Sequence, residues 1–325
     1  MESRATPLGT PPPNLAISEC RKVRACRVHR WNSCTGLILT KVVVKSAFSQ
    51  TSTALPYNAA MDWIEAVILA LIQGLTEFLP VSSQAHLVLY SLFTGREYQG
   101  LDFDIMLHAG SLLAVVFYFR HELVAMLRDW LATLRGSDAT GDSRLAWWII
   151  IGTIPAGVFG LVFKDHAEQA LRSPLIMGSA LIFFGLLLGL ADWRGRGQRD
   201  EYSLGLKDVL VIGFAQVLAL IPGTSRSGIT ITAALFLGMS REAAARFSFL
   251  LSIPIIAAAG LLGTRDLLSD GVQADWPILL IGLTVSAVST YACIHYFLAF
   301  IRRIGMQPFV AYRIILGAIL LAFFL

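Results

Sequence analysis

From Met61 to Leu325 long apolar stretches alternate with short polar joints, and this alternation constrains the fold more than any other feature of the sequence. A helix needs about 20 apolar residues to cross the hydrocarbon core of a bilayer. Residues 104–119, 145–163, 175–191, 247–263, 276–300 and 309–325 reach or approach that length. In hydrocarbon the backbone must satisfy its own hydrogen bonds, so each stretch reads as a helix. Charged side chains make up 15% of the chain, against about 25% in soluble domains. The expected fold class is an all-α polytopic membrane protein with about six full transmembrane helices.

Two further apolar regions are broken. Residues 64–79 and 81–95 are separated by Pro80, and residues 209–221 and 229–239 by "PGTSRSG". Each piece is too short to cross comfortably, so both regions read as broken or re-entrant helix pairs. They also resemble one another: "QGLTEFLPVSSQAH" (73–86) and "QVLALIPGTSRSG" (216–228) share a Gln, an apolar run, a Pro and a Ser-containing turn. Interrupted hydrophobic segments in corresponding halves point to an inverted repeat whose site lies where the halves meet. The two turns are expected to face each other.

The ionisable residues fall in the same places. Between Ala66 and Gly95 the only formal charge is Glu77, accompanied by His86; between Val209 and Ser240 it is Arg226 alone. Such residues at membrane depth are costly and default to functional candidates. A structural reading stands beside this one: Glu77 and Arg226 as an ion pair locking two loops, and His86 as a satisfied core residue. The clustering of all three favours function.

Ser83 and His86 are three apart and share a face if a helix starts after Pro80. Gly223, Thr224, Ser225 and Ser227 would present backbone N–H groups and hydroxyls at the start of a second short helix, an arrangement that binds phosphate. Arg226 adds a fork suited to phosphate oxygens. The spacing is not that of a Walker A loop, and no third group for a Ser–His triad can be placed. The residues alone lead to an anionic, phosphorylated ligand held between an acid, a histidine and an arginine. In such a site Ser83 would attack or orient water and His86 would act as general acid or base. The remaining features read as structural. Gly152, Gly157 and Gly160 are expected to allow close helix packing, Ser240 to cap a helix, Glu242 to pair with Arg246, and 309–325 to form a plain last span.

Residues 1–60 differ from the rest. Arg4, Arg21, Lys22, Arg24, Arg27, Arg30, Lys41 and Lys45 against Glu2 and Glu19 give a net +6 within a chain total of +4, which leaves −2 for residues 61–325. This segment reads as a disordered basic tail or a mis-assigned start, with Met61 as a natural beginning. Cys20, Cys26 and Cys34 match no common zinc spacing, and Cys293 reads as a packed side chain.

"QGLTEFLPVSSQAHL" and "IPGTSRSGITIT" closely resemble the two signature segments of the undecaprenyl-diphosphatase family, the bacitracin-resistance type, and the similarity of layout runs from Met61 to Leu325. The resemblance implies an integral membrane phosphatase domain over 61–325 that hydrolyses undecaprenyl diphosphate to the monophosphate carrier lipid. The family's [E/Q]-x-x-x-E motif falls on Gln73 and Glu77, its serine and histidine on Ser83 and His86, and its P-G-x-S-R-S-x-x-T segment on Pro222 to Thr230. Glu77, His86 and Arg226 would be essential, Gly223 to Ser227 and Thr230 would bind phosphate, and a divalent cation, Mg2+ or Ca2+, would assist through Glu77 and Gln73. Gln84 and Ala85 depart from the family's usual Ser or Thr and Gly. The implied setting is a bacterial inner membrane with the site facing the periplasm. The expected partners are the lipid diphosphate and the bilayer, with no nucleic acid and with homo-oligomerisation left open. A transporter of polyprenyl phosphate is the alternative, because broken-helix repeats also build transporters. The basic loops 120–144 and 192–207 are expected on the cytoplasmic side.

Overall fold

The computed structural model describes residues 61–96, 99–170, 173–195, 197–270 and 275–324, with the backbone alone described for 164–170 and 266–270. The expectations for the tail, including Cys20, Cys26 and Cys34, lie outside these residues. Eleven α-helices follow one another among the described residues: α1 (Trp63–Thr76), α2 (Ser83–Thr94), α3 (Leu101–Tyr118), α4 (Arg120–Leu134), α5 (Gly141–Ala170), α6 (Pro174–Arg194), α7 (Leu206–Val217), α8 (Arg226–Phe236), α9 (Arg241–Asp270), α10 (Trp276–Ile304) and α11 (Gln307–Phe324). Six of them, α3, α5, α6, α9, α10 and α11, are long and apolar enough to cross a membrane. They coincide with the six stretches expected from sequence.

The two broken regions form helical hairpins, α1–α2 and α7–α8, each followed by α3 or, in the second case, α9. Each hairpin leans on a span from the other half of the chain: α1 packs on α10, and α7 on α5. The halves are thereby interlocked. α3 and α9 pack together and run antiparallel, since a β-carbon on Gly263 would strike Ile105 while at the opposite ends the Arg246 guanidinium lies 5.5 Å from the Phe119 ring centroid. Equivalent spans thus point in opposite directions, as an inverted repeat requires.

Local chemistry fixes the hairpin ends. The Asp62 carboxylate accepts a hydrogen bond from the Glu65 amide at 2.8 Å and caps α1, satisfying a donor that the helix cannot. At the start of α7 the Asp208 carboxylate accepts from the Gly205 amide at 3.0 Å and from Arg199 at 2.6 Å. Close approach of helices needs absent side chains. A β-carbon on Gly213 would lie 2.7 Å from the Gly152 carbonyl oxygen, so α5 and α7 touch backbone to backbone. Gly157 and Gly160 make no such contact, so only Gly152 meets the packing expectation.

One end of the bundle collects the basic loops. There Arg246 bonds Glu201 at 2.7 Å and Glu122 at 3.4 Å, and Arg241 bonds the buried Asp192 at 2.5 Å. Glu242 pairs with Arg302, not with Arg246 as its i+4 spacing suggested. The tertiary partners outcompete a surface pair that is worth only a few tenths of a kcal/mol. Ser240 does cap α9, accepting from the Ala243 amide at 3.2 Å.

Outside the spans, the hydrogen bond from Arg199 holds the Asp208 carboxyl below its ordinary value. A depressed folded-state pKa contributes stability that is present above the unfolded value, about 3.9, and is lost as pH falls through the folded one. The melting temperature of the parent should exceed that of Asp208→Asn at neutral pH. The gap should close in acid below that range, as read by thermal unfolding in detergent.

Candidate active site

The two turns meet, with Arg226 bonded to Glu77 and Ser227 to the Leu79 carbonyl. Each contains a serine in the left-handed region immediately before its helix, Ser82 (φ 71°) before α2 and Ser225 (φ 68°) before α8. Non-glycine residues there are uncommon and strained, and such strain collects at functional sites. Gly223, at φ 90°, has no freedom to be anything else: a β-carbon would lie 2.4 Å from the Met177 carbonyl oxygen. Ala85, by contrast, sits inside α2 and is buried against neighbouring spans, so replacing the family's glycine demands no positive φ.

Glu77, just past the end of α1, is the hub. Its Oε1 accepts from Arg226 Nη2 at 2.8 Å, and its Oε2 accepts from Ser83 Oγ at 2.6 Å and from Gln73 Nε2 at 3.1 Å. His108 of α3 brings Nε2 to 3.8 Å from Oε2, too long for a hydrogen bond. The Arg226 guanidinium also lies 5.6 Å from the Phe78 ring centroid. The other terminal nitrogen, Nη1, is buried and has no partner. Buried guanidinium donors are almost always satisfied, so this one marks a place for an acceptor.

Glu77, Ser82, Ser83, Gly223, Ser225 and Arg226 line the polar part of a cavity of about 440 Å3, with Asp104 and His108 of α3 beside them. Thr224, Ser227 and Thr230 stand behind it. Ser227 Oγ donates to the Leu79 carbonyl at 2.9 Å, tying one hairpin to the other. Thr230 bonds Ser248 at 2.6 Å, and the buried Thr224 hydroxyl has no partner. The two turns face each other as expected, and the residues named in them divide between wall and scaffold.

His86 does not line the cavity. A carbonyl oxygen can only accept, so Nδ1, 2.7 Å from the Ser82 carbonyl, carries the hydrogen. Nε2 is then left to accept from Tyr312 at 2.6 Å, with the two rings stacked at 5.5 Å. Both nitrogens are engaged, and the side chain holds the strained Ser82 from behind.

Two residues escaped the sequence reading. His108 is the histidine that faces Glu77. Arg313, in the stretch read as a plain last span, corrects that reading: it is fully buried in α11 and donates to the carbonyls of Pro80 (3.2 Å), Gly223 (3.0 Å), Thr224 (2.8 Å) and Leu181 (3.2 Å). It thus clamps both turns at once. The signal was present, because a lone arginine in an apolar run is the same cue that singled out Arg226.

The donor set does not make a protein-held cation site. Among the described residues no group of three or more His, Cys, Asp or Glu side chains comes together for one. The Glu77 oxygens are occupied by hydrogen-bond donors, one of them the Arg226 cation, and Gln73 turns its amide nitrogen rather than its oxygen toward Glu77.

Six helices long and apolar enough to cross a membrane, set as interlocked halves whose two re-entrant turns meet at Glu77 and Arg226, define a multi-pass membrane protein. Residues 66–319 match the family of the bacitracin resistance protein BacA, and the chain belongs to that family. It is 57% identical over 267 residues to undecaprenyl-diphosphatase 2 of Stutzerimonas stutzeri (strain A1501), covering 81% of this chain and 99% of that one. It is 53% identical over 264 residues to the undecaprenyl-diphosphatase of Nitrosococcus oceani, covering 81% and 100%. To that of Hahella chejuensis it is 55% identical over 261 residues, covering 80% and 98%.

Proposed function

We propose that this protein hydrolyses undecaprenyl diphosphate to undecaprenyl phosphate and inorganic phosphate, recycling the carrier lipid of peptidoglycan synthesis and conferring bacitracin resistance. The family and the names of its relatives support the substrate. The observation in the site that carries the reading is the unpartnered Nη1 of Arg226 beside a carboxylate that already accepts from a serine hydroxyl.

The chemistry follows from these contacts. Arg226 and the amides at the start of α8 bind the terminal phosphoryl oxygens, where positioned positive charge supplies most phosphoryl-transfer catalysis. Ser83 Oγ attacks the terminal phosphorus as its proton passes to Glu77. The bridging P–O bond breaks and the prenyl monophosphate leaves. Water then attacks the phosphoserine, Ser83 regains its proton from Glu77, and the protons of the water stay with inorganic phosphate. A divalent cation would have to enter with the diphosphate, and it would supply charge neutralisation there beside Arg226. Basic loops tend to stay cytoplasmic, and the cavity lies toward the opposite end of the bundle, with Leu101 at the start of α3 and Gly263 late in α9 among its lining residues. We read that end of the bundle as the periplasmic side of the inner membrane.

The test is phosphate release from undecaprenyl diphosphate by the purified chain in detergent, with and without EDTA. The parent should release phosphate in a cation-dependent manner, and a folded Ser83→Ala variant should lose about 10²-fold or more in kcat. Acid quenching should trap a phosphoryl group on the parent and none on the variant. Release by Ser83→Ala at the parental rate would assign the attack to water. A folded parent that releases nothing would leave the second reading, transport of a polyprenyl phosphate, which the interlocked broken-helix halves favour.

A further inference from the structure

The cavity that holds Glu77 and Arg226 changes character along its length. Beyond the serines its wall passes to α9, where Ile255, Ile256, Ala259, Gly260 and Gly263 line the same cavity as Ile105 of α3. No hydrogen-bonding side chain lies on that stretch of α9, so it cannot hold a diphosphate. It is also not a closed wall: Ala259 is exposed and Gly260 half-buried, and a β-carbon built on Gly260 would meet no atom within 4 Å. Gly263, one turn further on, is filled instead, since a β-carbon there would lie 2.6 Å from Ile105. The opening therefore lies at Gly260 and is closed off by the Ile105 contact beyond it. The adjoining Leu261 is 73% exposed on a helix of membrane-spanning length, so the opening gives onto the bilayer.

A cavity of about 440 Å3 lies within the usual range for small-molecule sites, about 300–1,000 Å3, and is too small for a whole polyprenyl chain. We propose that the α9 wall at Ala259 and Gly260, opposite Ile105, takes the isoprene units nearest the diphosphate and leads the remaining chain sideways between α3 and α9 into the bilayer. This rests on the phosphatase reading above and adds the residues that sense the lipid. Apolar burial is proportional to the area covered, so this wall contributes binding only for substrates that carry a chain.

The test uses Gly260→Phe in the purified full chain, with two readouts: KM and kcat for undecaprenyl diphosphate, and the inhibition constant of inorganic pyrophosphate, which has the anion and no chain. The open space at Gly260 and the helical backbone there make the substitution compatible with folding, and Ala259→Leu probes the same wall should Gly260→Phe fail to fold. Gly260→Phe should lower kcat/KM for the lipid about tenfold or more, a usual size for an apolar pocket mismatch, and leave the pyrophosphate constant within about threefold. Leu261→Phe, which adds bulk on the lipid side, should change neither. An unchanged kcat/KM, or an equal loss on lipid and pyrophosphate, overturns the chain path while the phosphatase reading stands. A parent that hydrolyses nothing overturns both.

Discussion

Arg226→Ala should lower kcat for phosphate release by about 10³-fold or more, the scale on which single arginines and oxyanion donors act in phosphoryl and acyl transfer. The same change leaves Glu77 buried without its cation, and removing one partner of a buried pair destabilises by about 3–5 kcal/mol. A fall in melting temperature is therefore expected alongside the loss of turnover, and alone it would not separate chemistry from a structural lock. The double variant Arg226→Ala with Glu77→Gln separates them. It removes both charges, so stability should recover toward the parent while activity stays lost. If the pair only locked the hairpins, the double variant would recover both. Arg226→Lys should remain poor in turnover, since an ammonium cannot hold Glu77 with one nitrogen and reach phosphate with another in a planar fork.

The spans were legible in the sequence for a simple reason. In hydrocarbon, length and apolarity nearly determine helix formation, and the six long helices fall where uninterrupted apolar residues do. The re-entrant hairpins were legible because Pro80 and the Pro222–Gly223 step interrupt runs already too short to cross, and the matching Gln, Pro and Ser cues paired them. Their junction followed from charge: Glu77 and Arg226, 149 residues apart in sequence, are expensive singly and affordable together.

What could not be read was direction. His86 and His108 are both lone histidines in apolar helices, and nothing in their neighbours says which of them turns toward Glu77. The positive φ at Ser82 aims the start of α2 so that Ser83 points at Glu77, while His86 turns back onto the Ser82 carbonyl and Tyr312. Glu242 illustrates the same limit at the surface. The i+4 spacing offered Arg246, but the end of α10 supplied Arg302 and the loop before α7 supplied Glu201 for Arg246. Local spacing ranks partners only when no other chain segment arrives.

Arg313→Leu should be the most disruptive change outside the cavity. The leucine approximates the apolar part of the arginine and removes every donor, so the carbonyls of Pro80, Gly223, Thr224 and Leu181 lose their shared partner in a region that water does not reach. Each buried carbonyl left unpaired costs about 1–3 kcal/mol. Three of the four belong to the turns that carry the site, so the damage falls on geometry as well as on stability. A misplacement of about 1 Å in a catalytic array costs about 10²-fold. We therefore expect a clear drop in melting temperature and at least about that loss in kcat for whatever remains folded. Arg313→Lys should recover part of the stability, because an ammonium can reach some of these carbonyls, but little of the rate, because it cannot span turns from both halves of the chain in one plane. Full activity in Arg313→Lys would show that the charge alone suffices, and full activity in Arg313→Leu would show that Ser227 on the Leu79 carbonyl already holds the hairpins in register.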